Sequence, residues 1–166
     1  HASVPLNEDG SFKHVRIGTK EYWGHKLLQK TDQLIRTAYF DEDGSAEKNF
    51  ALDYMWYMWC GPDAPSFDKD KMATFERYFI ADKALHKENK GYYYTLRNRA
   101  DICDNILAEF GVEPGPHSHI INGHVPVKTI KGERPIKADG KLLVIDGGFS
   151  KAYQPETGIA GYTLVY

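Results

Sequence analysis

Two apolar runs, each stopped by a glycine-bearing turn that carries an ionisable residue, constrain this chain most: His119-Ile-Ile-Asn-Gly-His-Val-Pro-Val-Lys128 and Lys141-Leu-Leu-Val-Ile-Asp-Gly-Gly-Phe-Ser-Lys151. Short β-branched and leucine-rich runs bounded by such turns read as buried strands, and α/β enzymes place their chemistry at strand ends. Gly123 lets the backbone turn after the first run, which makes His124 a candidate metal ligand. Asp146, at the end of the second, is either a metal-directed carboxylate or a turn residue that bonds neighbouring backbone N–H groups. His117 and His119 would share a face in an extended chain, but a surface loop followed by a satisfied strand histidine is the preferred reading.

The rest of the chain is mostly helical up to that point. Phe12, Val15 and Ile17 suggest a short strand before Gly18. From His25 to Phe40, Leu27, Leu28, Thr31, Leu34, Ile35, Ala38 and Tyr39 recur at helical spacing with Lys26, Gln29, Lys30 and Gln33 opposite, the pattern of an amphipathic helix. The acidic Asp41-Glu-Asp-Gly44 turn lacks the spacing of a calcium loop. Phe50 to Cys60 is apolar on all sides and predicts a buried helix closed by Gly61-Pro62. Asp53 within it needs solvent, a cation such as Arg77, or a site. Asp68 or Asp70 is placed to cap a helix using Met72, Phe75 and Phe79. Residues 82–98 have too poor a period to assign. A further helix from about Arg97 to Phe110 presents Ile102, Cys103, Ile106, Leu107 and Phe110 on one face and stops at Gly111. Tyr162, Leu164 and Tyr166 alternate as in a closing strand.

The order is a short β part, several helices, then β segments, so the fold class is α/β or α+β. The chain reads as one domain or part of one over 1–166, helical from about 25 to 111 and sheet-completing from about 117 to 166. Three strands alone make a thin sheet, so they are expected to complete a larger one. The chain starts with His, which reads as a processed piece of a longer protein.

With 166 residues and 42% apolar content there is enough to fill a core. A net charge of −2 supports neither a nucleic-acid nor an acidic-membrane partner. No run approaches a membrane span and the start lacks the features of a signal peptide, so a cytoplasmic location is expected. Cys60 and Cys103 are expected as reduced thiols. There is no serine elbow, Cys-His signature, phosphate-binding Walker loop or dinucleotide fingerprint. Histidine, lysines and glycine turns near two strand ends instead suit metal-assisted phosphoryl chemistry.

His1-x-x-x-Pro-Leu-Asn-Glu-Asp-Gly10, Trp59-Cys-Gly-Pro62, Lys69-Asp-Lys-Met-Ala-Thr-Phe-Glu-Arg-Tyr78, Ile121-Asn-Gly-His-Val-Pro-Val-Lys128 and Asp146-Gly-Gly-Phe-Ser-Lys-Ala-Tyr-Gln-Pro155 together resemble class III fructose-1,6-bisphosphatases, the Firmicutes-type bacterial family. The resemblance covers nearly the whole chain. It implies a calcineurin-like metallophosphoesterase β-sandwich flanked by helices, with a helical insert and a dinuclear divalent-metal site, manganese being the expected ion. It further implies hydrolysis of fructose 1,6-bisphosphate to fructose 6-phosphate and phosphate, a step of gluconeogenesis. Within this chain it points to His1 and His124 as metal ligands, and to Lys128, Lys151, Arg77 and Tyr153 as contacts to a sugar bisphosphate. The superfamily's Asp-x-His, Gly-Asp-x-x-Asp and Gly-Asn-His motifs are absent, and Pro126 stands where many members carry another histidine. The chain is therefore expected to be a middle or C-terminal portion of the enzyme, inactive when isolated, with no catalytic residue assigned to it. Two alternatives stay open: a metallophosphatase for another phosphoester, and a non-catalytic module whose aromatic helices around Trp56 and Trp59 form a homo-oligomer.

Overall fold

The computed structural model describes residues 3–123 and 125–165. Helices and strands are mixed, as the α+β reading expects, and the chain divides into two compact units, Ser3–Tyr94 and a second from Thr95 onward.

In the first unit, β1 (Val15–Ile17) and β2 (Lys20–Tyr22) form an antiparallel hairpin, with Val15 opposite Tyr22 and Ile17 opposite Lys20. Helix α1 (Gly24–Phe40) buries Leu27, Thr31, Leu34 and Ala38, the stripe its 3.6-residue period requires. Tyr39, expected on that face, is 76% exposed because it falls one residue off the stripe that ends at the buried Ala38. That partner is α2 (Ala46–Cys60), capped by the Ser45 hydroxyl, which accepts the Lys48 N–H. The two helices meet through Ala51 and Tyr54, and the Tyr54 hydroxyl bonds Thr31 Oγ1 at 2.9 Å.

The expectation of a buried α2 is corrected. Only Lys48, Ala51 and Tyr54 are buried, while Trp56 and Trp59 are 68% and 65% exposed. Helix α1 and the β1 side chains Val15 and Ile17 cover one stripe of a helix whose sequence is apolar on every side from Phe50 onward. The Asp53–Arg77 pairing is not formed either: Asp53 is exposed, and Arg77 pairs with Glu88 at 3.5 Å and donates to the His86 carbonyl. Helix α3 (Thr74–Phe79) has no side-chain cap, because Asp70 accepts instead from the Asn89 backbone and side-chain amides, and Phe75 and Phe79 are exposed. A 3-10 turn comes next at Lys83–His86, and the short helix α4 spans Tyr93–Leu96.

Asp68 is the strained point of this unit. It is 2% exposed, has a φ of 46°, and its Oδ2 has no hydrogen-bond partner among the described residues. Gly91 passes so close that a Cβ there would stand 2.0 Å from Asp68 Oδ1. Burial, and then the charge of Asp63, push the Asp68 carboxyl up to about 6.

In the second unit, α5 (Ala100–Glu109) buries Ile102, Cys103, Ile106 and Leu107 and ends at Gly111, whose φ of 74° suits a residue without Cβ. Beyond it lies a three-stranded sheet in the order β3–β5–β4, built from β3 (Ile120–Asn122), β4 (Ile136–Lys137) and β5 (Leu142–Val144). β3 and β5 are parallel, and β4 runs antiparallel to β5. Cys103, Val127, Ala138, Leu142 and Val144 form the core, with Ile120 and Tyr162 against it. Burial pushes the Cys103 thiol up to about 11, as an inert core cysteine requires, and Cys60 is likewise free. A four-residue helix, α6 (Gln154–Thr157), precedes the last segment. The expected closing strand is corrected: residues 160–165 join no ladder, because glycine contacts rather than strand pairing hold them, and Tyr166 lies outside the described residues. Among the described residues no helix is long and apolar enough to cross a membrane.

Two outcomes test these assignments. Leu27→Ala, at a site with 0% exposure, lowers stability by roughly 2–5 kcal/mol, whereas Trp56→Ala stays within about 0.5 kcal/mol, read from urea midpoints. Because Asp68 is raised in the folded state, its contribution favours folding below its ordinary value and is lost as pH rises through about 6. Asp68→Asn therefore removes a loss of roughly 2–3 kcal/mol that the unsubstituted chain suffers between about pH 4 and pH 7.

Candidate functional site

The parallel pairing decides where the two glycine turns lie. Ile120, Ile121 and Asn122 stand opposite Leu142, Leu143 and Val144, so both strands end at one edge of the sheet. Ile145 N–H donates to the Asn122 carbonyl at 2.9 Å, and Val127 N–H donates to the Asp146 carbonyl at 3.1 Å. The two turns are thus tied to each other by backbone bonds beyond the strands themselves. Asn122 is buried, and Val127, at 1% exposure, anchors the segment leading to Lys128.

Glycine is required in the second turn. A Cβ on Gly147 would stand 2.2 Å from the Ala160 carbonyl oxygen, and one on Gly148 would stand 1.9 Å from that of Gly158. A Cβ on Gly161 would strike the Phe149 ring at 1.9 Å. Residues 158–161 therefore seat directly on the Asp146-Gly-Gly turn. Thr129 Oγ1 donates to the Thr157 carbonyl at 2.9 Å, joining the same segment to the loop after Lys128. By contrast, a Cβ on Gly123 meets nothing within 4 Å among the described residues.

The loop after Val127 is closed by Glu133. Its carboxylate accepts the Lys128 N–H at 2.9 Å and the Lys137 ammonium at 2.5 Å, while its own N–H donates to the Lys128 carbonyl at 3.2 Å. Burial pushes this carboxyl up, but the Lys137 bond, the Lys128 N–H and the charges of Lys137 and Arg97 outweigh it and hold it below the usual range. Sequence reasoning missed this clamp. Its one legible sign is the spacing of Glu133 and Lys137.

Of the expected site residues, His1 and His124 lie outside the described residues. Lys128 is exposed on the clamped loop, and with Ile130, Lys131, Pro155 and Glu156 it lines a groove of about 370 Å³. Lys151 and Tyr153 are exposed just before α6, and the Tyr153 carbonyl accepts from Glu156 N–H, Thr157 N–H and Thr157 Oγ1. The second unit thus carries Lys128, Lys151 and Tyr153 on two joined segments, whereas Arg77 belongs to the first. His119 Nδ1 is 2.8 Å from the Gly140 carbonyl oxygen, a satisfied strand histidine. Among the described residues no three His, Cys, Asp or Glu side chains converge to hold a metal ion. The described part of the chain therefore does not by itself fit a metal pair.

The glycine packing predicts an asymmetry between the turns. Gly148→Ala costs about 1–3 kcal/mol through overpacking, while Gly123→Ala is nearly neutral, as thermal unfolding of the two variants will show.

The sequence family described as Firmicute fructose-1,6-bisphosphatase matches residues 1–166. The chain is 82% identical over 166 residues to a fructose-1,6-bisphosphatase class 3 of Bacteroides fragilis, 81% to one of Bacteroides thetaiotaomicron and 60% to one of Clostridium novyi. Each comparison covers 100% of this chain and 25% of the relative, so the chain spans about a quarter of the length of these curated relatives. No solved structure matches it. A match along the full length of the chain, over both strand-end turns and the clamped loop between them, places it in the Firmicute fructose-1,6-bisphosphatase family.

Proposed function

We propose that this chain is a portion of a metal-dependent fructose-1,6-bisphosphatase, which releases phosphate from fructose 1,6-bisphosphate to give fructose 6-phosphate in the cytoplasm, as a step of gluconeogenesis. The observation that carries this reading is the 82% identity, over all 166 residues, to a protein named for that activity. The paired strand ends support it, because they present two polar turns and a lysine-bearing loop at one edge.

In this reading His1 and His124 contribute to the divalent-metal site of the intact enzyme, manganese being the expected ion. The remaining donors belong to the rest of the protein, since the described residues offer no cluster that could hold a cation. The chain's own task is to bind and orient the sugar bisphosphate. Lys128 and Lys151 offer ammonium charges to phosphate oxygens, Tyr153 a hydroxyl, and Arg77 a planar guanidinium suited to a phosphate. The calcineurin-like sandwich belongs to the same proposal, with β3, β4 and β5 completing its sheet.

Phosphate release with manganese present tests the reading. A protein of the relatives' full length hydrolyses fructose 1,6-bisphosphate in preference to a nucleotide or a phosphopeptide, and His124→Ala abolishes most of that turnover. The 166-residue chain alone shows none. Turnover by the short chain would overturn its role as an incomplete site, and preference for another phosphoester would overturn the substrate.

A further inference from the structure

The clamped loop carries a second lysine beside Lys128. Thr129–Lys131 is a 3-10 turn with Lys128 as its N-terminal cap, and the Lys131 N–H donates to the Lys128 carbonyl at 2.9 Å. Lys128 and Lys131, at the two ends of that turn, line the same groove, with the exposed Ile130 beside them.

Several lysines of the chain meet a carboxylate. Lys13 meets Asp63 at 2.6 Å, Lys48 meets Asp43 at 2.8 Å, Lys69 meets Glu88 at 2.8 Å and Lys137 meets Glu133 at 2.5 Å. Among the described residues neither Lys128 nor Lys131 has an ion-pair partner, and the nearby Glu133 carboxylate is occupied by Lys137 and the Lys128 N–H. Two ammonium groups that line one groove draw an anion into it. A phosphate dianion satisfies both, because ammonium groups bind phosphate oxygens as point charges.

The other wall of the groove narrows the ligand further. Pro155 and Ile130 supply apolar contact, and Glu156 supplies a carboxylate. A carboxylate repels phosphate but accepts hydrogen bonds from hydroxyl groups. A ligand that suits both walls therefore carries a phosphate at one end and hydroxyl groups at the other, which is the chemistry of a phosphorylated sugar.

We infer that the groove formed by Lys128, Lys131, Ile130, Pro155 and Glu156 is a subsite for the phosphate of the substrate that is not hydrolysed, with Glu133 as the residue that positions Lys128. The inference rests on the bisphosphatase reading and adds to it a second lysine, a hydroxyl acceptor and a positioning carboxylate. Glu133 acts through the backbone of Lys128, and Val127 N–H, bonded to the Asp146 carbonyl, fixes the same loop to the strand-end turns.

The test uses the full-length enzyme and two substrates: fructose 1,6-bisphosphate, and phenyl phosphate, which has no second phosphate. Lys131→Gln lowers the ratio of kcat/KM for the bisphosphate over phenyl phosphate by about tenfold or more, the scale of one lost charged contact, through KM rather than kcat. Glu133→Gln lowers the same ratio, again through KM. Lys20→Gln, an exposed charge loss on the β1–β2 hairpin, is the control. An unchanged ratio in Lys131→Gln, with the unsubstituted enzyme active on the bisphosphate, overturns the subsite and leaves the bisphosphatase reading intact. If the unsubstituted enzyme does not hydrolyse the bisphosphate, that reading fails. The groove is then decided by calorimetric titration of inorganic phosphate into metal-free protein. Loss of binding in a Lys128→Gln, Lys131→Gln double variant retains it as a site for another phosphoester, and undiminished binding overturns it.

Discussion

The register between β3 and β5 is the constraint on which the second unit depends. Parallel pairing makes both strands finish at the same edge, so Gly123 and the Asp146-Gly-Gly turn emerge together. Had the strands been antiparallel, the two turns would lie at opposite ends of a three-residue ladder. The Val127 N–H bond to the Asp146 carbonyl then extends the pairing past the strands, where side-chain packing alone would leave two loops free to separate. The remaining segments of the unit are built outward from that edge. Residues 158–161 rest on Gly147 and Gly148, Thr129 ties to Thr157, and Glu133 closes the loop on Lys128.

Backbone approach, rather than hydrophobic burial, does much of this positioning. At Gly147 and Gly148 the neighbouring carbonyl oxygens occupy the space of a methyl group, so an ordinary side chain would force the last segment away from the turn. The apolar core beneath, of Val127, Leu142 and Val144, is small. A site held in this way places polar groups on short segments whose freedom is removed by hydrogen bonds at both ends. Lys128 is the clearest case, since its exposed side chain leaves a backbone bonded to Glu133 through both its N–H and its carbonyl.

Much of this was legible in the residues, and the part that was not has physical causes. The stripes of α1 and α5 obey a helical period, so Leu27, Leu34, Ile102 and Ile106 were found inside as expected. The strands β3 and β5 were marked by their apolar runs. β4 was not, because Ile136–Lys137 is only two residues long and owes its place to pairing with β5. The alternation of Tyr162, Leu164 and Tyr166 suggested a strand, yet a strand needs a free edge in register, and Gly158 and Gly161 commit that segment to the turn instead. The Glu133 clamp escaped because its partner is a backbone N–H, and no side-chain pattern records a main-chain bond. His1 and His124 rest on resemblance to the family, as they lie outside the described residues.

Helix α2 shows a different limit of sequence reasoning. A segment apolar on every side normally signals burial on every side. Here α1 covers the stripe of Ala51 and Tyr54, and Trp56, Trp59, Phe75 and Phe79 stay open to solvent. The period of a helix tells which residues can share a face, but the number of faces covered depends on how many elements pack against it. Among the described residues α1 is the helix that packs on α2, with Val15 and Ile17 in the same cluster, so its composition describes more contact than these residues supply. Composition and contact part company among the lysines too. Lys13, Lys48, Lys69 and Lys137 find their carboxylates within the chain, so the fold itself accounts for them. Lys128 and Lys131 have no such partner among the described residues and line one groove beside a carboxylate already engaged by Lys137, which is why the proposed phosphate subsite is placed there.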